Sequence, residues 1–440
     1  MPNSVLRWCA FAAAAFVLAG CGGGPSLPVE QGYGSDPTLP EPREQTLPLV
    51  NIAPAEGWGE GEAPIPAAGL AVNAFASGLD HPRWLYVLPN GDVLVAETNA
   101  PANRPDENRG IRAFFMRLAM SRAGATPPSA DRITLLRDRD GDGVAETRRT
   151  FLDQLHSPFG MALVGDTLYV ANTNGIVRFA YSAGQTEITA APATVVALPA
   201  GPRNHHWTKN VIASPDGSRL YATVGSNSNV GEHGMEVEEG RAAIWEIDPT
   251  TGQSRIFASG LRNPNGMDWE PATGMLWTVV NERDEIGNDL VPDYMTSVRD
   301  GGFYGWPYYY YGSHRDARIA IPANARVQAA ISPDYALGAH TASLGFAFNR
   351  GDALGAHYRA GAFIGQHGSW NRAEPSGYKV VFVPFANGRP NGMPQDVLTG
   401  FLDEQGNARG RPVGVVFDRG GALLVADDVG NVIWRVRAAN

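Results

Sequence analysis

One local theme recurs six times along this chain: a Pro- or Gly-containing turn, a short strand of β-forming residues, then a polar stretch. The copies are LPNGDVLVAE (88–97), LVGDTLYVAN (163–172), SPDGSRLYATVG (214–225), EPATGMLWTVVNE (270–282), HYRAGAFIGQHGSWN (357–371) and DRGGALLVADDVGNVIWRV (418–436). Asn-Gly, Asp-Gly and Gly-Gly steps in them are hairpin turns. Copies at intervals of about 50 to 90 residues, each too short to bury an apolar face alone, describe units that stack radially. The reading is an all-β, six-bladed β-propeller over 69–440. The strand near 70–76 closes the ring by completing the last blade. A helical pattern over 112–123 reads as an insertion in the first blade. The 52 Gly and 33 Pro suit a chain made of turns rather than long helices.

Residues 22–68 are rich in Gly, Pro and Glu and poor in aromatics, which reads as a flexible tether. Residues 1–21 read as an export signal: Arg7 supplies charge, 10–18 an apolar run too short to span a bilayer, and Leu18-Ala19-Gly20-Cys21 a lipobox. This resembles a bacterial lipoprotein signal. The resemblance implies a chain exported and anchored to the cell envelope through lipidated Cys21, and Gly22 favours the outer membrane, facing the periplasm. Cleavage would remove Cys9, leaving the folded domain without a disulfide. The formal net charge of −10 argues against nucleic acid as a partner.

Propeller sites gather where loops of several blades meet, so functional residues should be scattered, one or two per repeat. In NHHWTKN (204–210) one of two adjacent histidines can face such a site as a general base, the other reading being a structural histidine. GLRNPNGMDW (260–269) reads as a tight turn presenting Arg262 and Asn263. NERDEIGNDLVPDY (281–294) packs carboxylates and turn carbonyls that suit Ca²⁺ or form a solvated acidic loop. Arg372, Lys379, Arg409 and Arg411, at the ends of two repeats of an acidic protein, suit a bound polyanion. DRDGDGVAE (138–146) has Asp138, Asp140, Asp142 and Gly143 at the first, third, fifth and sixth places of an EF-hand-type loop. Arg149 stands at the twelfth, and Glu146 at the ninth can substitute, which would make this a structural Ca²⁺ site.

In order and spacing, HHWTKNVIASPDGSRLYATVGSNSN, GLRNPNGMDW, DGGFYGWPYYYYG, GSWNR with GYKVV, and GRPVGVVFD with ALLVADDVGNVIWRV resemble the sorbosone dehydrogenase and soluble glucose dehydrogenase family, across residues 69–436. The resemblance implies hydride transfer from an aldose or related sugar to pyrroloquinoline quinone (PQQ) held with Ca²⁺ at the channel mouth. It implies His206 as base, Arg262 on the quinone oxygens, Asn263 positioning the cofactor, and Arg372, Lys379, Arg409 and Arg411 on its carboxylates. It places Ca²⁺ near Glu282, Arg283 and Asp284. Where glucose dehydrogenase has an Asp supporting the base, this chain has Ser226, as in the sorbosone-type pattern. No CxxCH haem motif is present, so electrons would pass to an external cytochrome or quinone. Two other readings stand beside this one. A metal-dependent propeller lactonase needs no cationic pocket. A non-catalytic carbohydrate- or protein-binding propeller leaves His206, Arg262 and Lys379 without a shared purpose.

Overall fold

The computed structural model describes residues 26–44, 49–102, 118, 120–322 and 329–439. The signal segment with Cys21, and most of the helix expected over 112–123, lie outside them; Leu118 and residues 120–122 are helical.

Six antiparallel blades form the ring. Each recurring motif becomes the second strand of its blade: Val93–Glu97, Thr167–Asn172, Leu220–Val224, Leu276–Val280, Gly361–Gln366 and Leu423–Asp427. These strands are buried along almost their whole length, because a blade packs against a neighbour on both faces. That is why they read as unbroken apolar runs rather than as alternation. The first strands, Pro82–Val87, Met161–Val164, Val211–Ala213, Pro264–Trp269, Ser343–Phe348 and Pro412–Phe417, neighbour one another around the central channel. Pro264-Asn265-Gly266 is therefore the start of an inner strand and not the turn its composition suggests. A Cβ at Gly266 would run into Phe346 and the Leu344 carbonyl of the adjacent inner strand.

Between blades the core is a series of apolar seams. Trp277, Met295 and Tyr335 of the fourth blade, for example, pack on Phe346, Ile364 and Val381 of the fifth. The sixth blade is completed by the earliest long strand, Leu70–Ser77, paired antiparallel to Val432–Ala438 from Leu70↔Ala438 to Ser77↔Val432.

Residues 26–44 and 49–68 depart from the tether expected of them. Tyr33–Gly34 adds to the edge of the fourth blade, and Ile65–Pro66 to the edge of the fifth. Between them the chain bonds to the rims of blades four, five and six: Arg43 N–H to the Ile286 carbonyl, Asn51 N–H to that of Trp370, and Trp58 Nε1 to Asp427 Oδ2 at 2.7 Å. The segment is a docked strap. Sheet edges have unpaired backbone groups, which any extended segment can satisfy whatever its composition.

Because the strands of a blade alternate in direction, two kinds of connection share one face: those entering a first strand and those joining second to third strands. This is the mouth face.

Candidate functional site

His206 enters the third blade at the mouth face. Its Nδ1 lies 2.9 Å from the Ser226 carbonyl oxygen and 3.0 Å from Ser226 Oγ, which itself donates to the Ser228 carbonyl. Both contacts are acceptors, so Nδ1 carries the proton and Nε2 the lone pair. Burial, then His205 and Arg262, lower the imidazole pKa well below its ordinary value. The rings of His205 and His206 meet edge to face, with centroids 4.5 Å apart. Gly225 makes this approach possible: a Cβ there would collide with Asn263 and His206.

Arg262, at the entry to the fourth blade, is a hub rather than an open donor. Its Nε bonds the Asn229 carbonyl, Nη1 bonds Asn281 Oδ1 and the Glu282 carbonyl, and Nη2 bonds Asn229 Oδ1, with Asp284 Oδ2 at 3.4 Å. The direct contact with a cofactor expected of Arg262 is thus taken up by the protein, and its charge reaches the mouth only through space. Asp284 also bonds His340 Nδ1 at 2.9 Å, while His340 Nε2 meets the Gly287 carbonyl. Burial opposes a charged His340, but the Asp284 bond and charge outweigh it and raise the pKa.

A second polar cluster joins blades five, six and one. Asp428 accepts from His367 Nε2 at 2.9 Å and from Arg83 Nη1 at 2.8 Å; His81 Nδ1 meets its carbonyl. Burial opposes the carboxylate, but His367, His81 and Arg83 hold it far below the usual range. Burial also takes His367 down to about 4. Arg411 lies 4.8 Å over the Tyr378 ring and bonds the Ala53 carbonyl of the strap.

Several non-glycine residues at these corners have left-handed backbones: His81 (φ 54°), Ser157 (43°), Asn204 (43°), His340 (60°) and Ala342 (50°). Strain of this kind gathers where loops are held for a purpose.

Three of the four cations expected to hold a polyanion are engaged elsewhere. Lys379 pairs with Asp396 on the outer strand of its blade at 2.7 Å, Arg409 with Glu62 at 3.2 Å, and Arg372 with Asp289 and the Leu27 carbonyl. Of the four, only Arg411 has no carboxylate partner among the described residues.

Residues 131–297 and 323–439 match the TrAA12-like family model. The chain belongs to this family. An uncharacterized protein of Borreliella burgdorferi is 30% identical over 247 residues, covering 54% of this chain and 62% of that protein. A pyrroloquinoline quinone-dependent pyranose dehydrogenase of Coprinopsis cinerea is 27% identical over 474 residues, covering 92% and 56%. The chain thus spans about three-fifths of the length of these curated relatives. Among solved structures, the holo form of the pyranose dehydrogenase PQQ domain from Coprinopsis cinerea superposes with a TM-score of 0.67 at 20% identity, covering 88% of this chain and 100% of that one. The PQQ-bound aldose sugar dehydrogenase of Streptomyces coelicolor gives 0.55 at 17%, covering 85% and 100%. These likenesses bear out the six-bladed propeller.

Two features of this TrAA12-like mouth suit a planar polyanion. The Nε atoms of Arg83 and Arg411 are buried without a partner among the described residues and suit an anion, and Asn263 Oδ1, an acceptor in the same state, suits a donor on the same ligand. Buried orphans of this kind are costly and point to a ligand that completes them. The Ca²⁺ loop does not fit its expected metal. The fully buried Arg283 guanidinium sits between Glu282 and Asp316 and also bonds the Pro307 and Tyr309 carbonyls. The Glu282 carbonyl accepts from Arg262, the Asp284 carbonyl from Arg318, and the Asp284 carboxylate from His340 and Arg262. Internal cations engage each of these oxygens, and the Arg283 carbonyl meets the Val291 N–H at 3.5 Å. By contrast, ligand oxygens of Asp138, Asp140, Asp142 and Glu146 all lie within 4.8 Å of one another, on the face opposite the mouth.

His81, Arg83, His340, His367 and Asp428 were not singled out from sequence. A signal was available, because each flanks the start of a first strand or the end of a second, the same corner as His206.

Proposed function

We propose that the chain is a quinoprotein that oxidises a sugar by transferring hydride to PQQ bound at the mouth. The observation that carries this reading is the fixed tautomer of His206: an imidazole held neutral, close to Asn263, with its Nε2 lone pair at the mouth face that also carries the buried Arg83 and Arg411 nitrogens lacking partners among the described residues. PQQ, when bound, supplies a two-electron acceptor. The chain would do the rest. Arg83 and Arg411 hold carboxylates through their unpartnered Nε atoms, and Asn263 fixes orientation. His206 takes the hydroxyl proton of the sugar at Nε2, and Ser226 keeps its ring aimed. The positive charge of Arg262 keeps His206 from protonating too early.

A sugar as substrate is supported by the curated pyranose dehydrogenase relative; the narrower class, an aldose or a sorbosone-like hydroxy-aldehyde, extends the resemblance seen in the sequence. Electrons then leave to an external cytochrome or quinone, and Cys21 anchors the exported chain to the envelope. A lactonase reading is disfavoured because Glu282 and Asp284 are paired with arginines rather than open to a metal. The Asp138 loop is proposed as a structural Ca²⁺ site that staples the outer hairpin of the first blade, with no part in the chemistry.

Purified apoprotein titrated with PQQ, with and without Ca²⁺, and assayed with an artificial acceptor across an aldose panel tests the proposal. PQQ-dependent reduction is expected. Absence of PQQ binding at micromolar concentration would overturn it.

A further inference from the structure

The strap determines how the mouth is presented. Its first described contact is on the rim: Leu27 N–H donates to Asp289 Oδ2 at 3.0 Å, and its carbonyl accepts from Arg372 Nη2 at 2.7 Å. Asp289 belongs to the fourth-blade loop that carries Asp284, and Arg372 to the fifth-blade loop that follows His367. Cys21 stands six positions before Leu27. Six residues reach at most about 20 Å even when fully extended. A lipid on Cys21 therefore keeps the rim of blades four and five within roughly that distance of the bilayer.

Of the ten exposed large apolar side chains among the described residues, five belong to mouth-face segments: Val50 on the strap, Leu118 and Met120 in the first-blade insertion, and Met235 and Val237 in the second-to-third connection of blade three. The other five, Ile65, Val144, Ile256, Met275 and Met393, lie elsewhere, so the apolar residues give the rim contacts for an interface but the leash sets which side faces it. Among the described residues, the exposed charges of the strap from Glu30 to Glu44 are Glu30, Asp36, Glu41 and Glu44 against Arg43, and Glu374 is exposed beside Arg372. Attraction to anionic headgroups therefore does not hold this part of the rim down; the short leash does.

We propose that the mouth face of the propeller lies against a phospholipid bilayer, so that the site opens toward the membrane surface. This rests on Cys21 being the lipidated residue. Substrate would then enter from the side, through the gap between rim and headgroups.

The test uses the full-length lipidated protein in phosphatidylcholine–phosphatidylglycerol liposomes. Cleavage removes Cys9 and acylation occupies Cys21, so an introduced thiol is the only labelling site. Met235→Cys on the mouth face and Met275→Cys in a turn on the opposite face carry the same fluorophore, read against a headgroup-attached quencher. Quenching at Met235 at least twofold stronger than at Met275 is expected, with little change as the anionic lipid fraction varies. Equal quenching, or stronger quenching at Met275, overturns the proposal. Flotation of a Cys21→Ser variant with liposomes as readily as the native chain also overturns it, by removing the anchor, and leaves the quinoprotein reading to be judged separately by PQQ titration. A protein partner on the rim would show as equal quenching that becomes unequal only when a membrane extract is added, which again overturns it.

Discussion

His206 is oriented by a main-chain oxygen: its Nδ1 lies 2.9 Å from the Ser226 carbonyl, where a carboxylate would have been the more familiar support. A carbonyl fixes the tautomer without adding negative charge; its hydrogen bond raises the imidazole pKa, but burial, His205 and Arg262 outweigh it and hold the value well below the ordinary one. In its proposed role as base, His206 works when neutral. The value of kcat/KM is therefore expected to stay level as pH falls through about 6.5, the ordinary imidazole value, and to drop only in more acid solution. Ser226→Asp would raise the His206 pKa and move the acid limb to higher pH. His206→Ala should lower kcat by about 10² to 10⁴-fold while PQQ binding persists. Steady-state pH profiles and fluorescence titration check these outcomes.

Arg411 and Lys379 should separate cleanly. Arg411 is buried at the mouth with an unpartnered Nε, whereas Lys379 pairs with half-exposed Asp396 on an outer strand. Arg411→Ala is expected to weaken PQQ binding at least about tenfold, the equivalent of losing one charge-assisted hydrogen bond. Lys379→Ala should leave PQQ affinity within about twofold and cost no more than about 1 kcal/mol of stability. A large loss of affinity in Lys379→Ala would return that residue to the site.

The buried pair of His340 and Asp284 should give stability a pH window. His340 has a raised pKa in the fold, so its contribution is complete below about pH 6.5 and is lost as pH rises through the folded value. The pKa of Asp284 is lowered: burial opposes the charge, but His340 and Arg262 outweigh it, so its contribution is lost only in acid. His340→Ala should therefore cost roughly 3 to 5 kcal/mol near pH 6, and less at pH 9. Urea unfolding of both proteins at the two pH values reads the difference, and a pH-independent deficit would contradict the pairing.

Trp58→Phe tests the strap. The indole donates to Asp427, which burial raises to about 6 against the pull of its donors. An acid raised in the fold makes the protein less stable as pH climbs through that value, and losing a donor sharpens the effect. The variant should lose about 1 to 3 kcal/mol above pH 7 and less at pH 5, as followed by denaturant midpoints.

The blades were legible in sequence because their second strands are buried on both faces, so that Val93–Glu97 or Leu423–Asp427 appears as a continuous apolar run after a turn. The pair of histidines was legible because it stands just before a first strand, but residue order left His205 and His206 open, and the choice of His206 came from the family resemblance. Partnership was not legible. Lys379, Arg409 and Arg372 announce charge but not direction, and Asp396, Glu62 and Asp289 claim them in three dimensions. The carboxylates of Glu282 and Asp284 looked open to a metal because nothing in the order of residues says that Arg283 and Arg262 fold back onto them. The strap was misread for a related reason: Tyr33–Gly34 and Ile65–Pro66 pair through backbone atoms, and composition does not encode these.

The pairing of Leu70–Ser77 with Val432–Ala438 has a kinetic consequence. The strand that completes the ring is made before the blades it joins but finds its partner last, after all the blades between have been made. Its loop-closure entropy is large, and contacts this distant in sequence slow folding. Until that strand docks, the sixth blade has a bare edge and the ring remains open. The last event in assembly should therefore be a single slow step that links early-made and late-made chain, and any variant that weakens this seam should unfold from there.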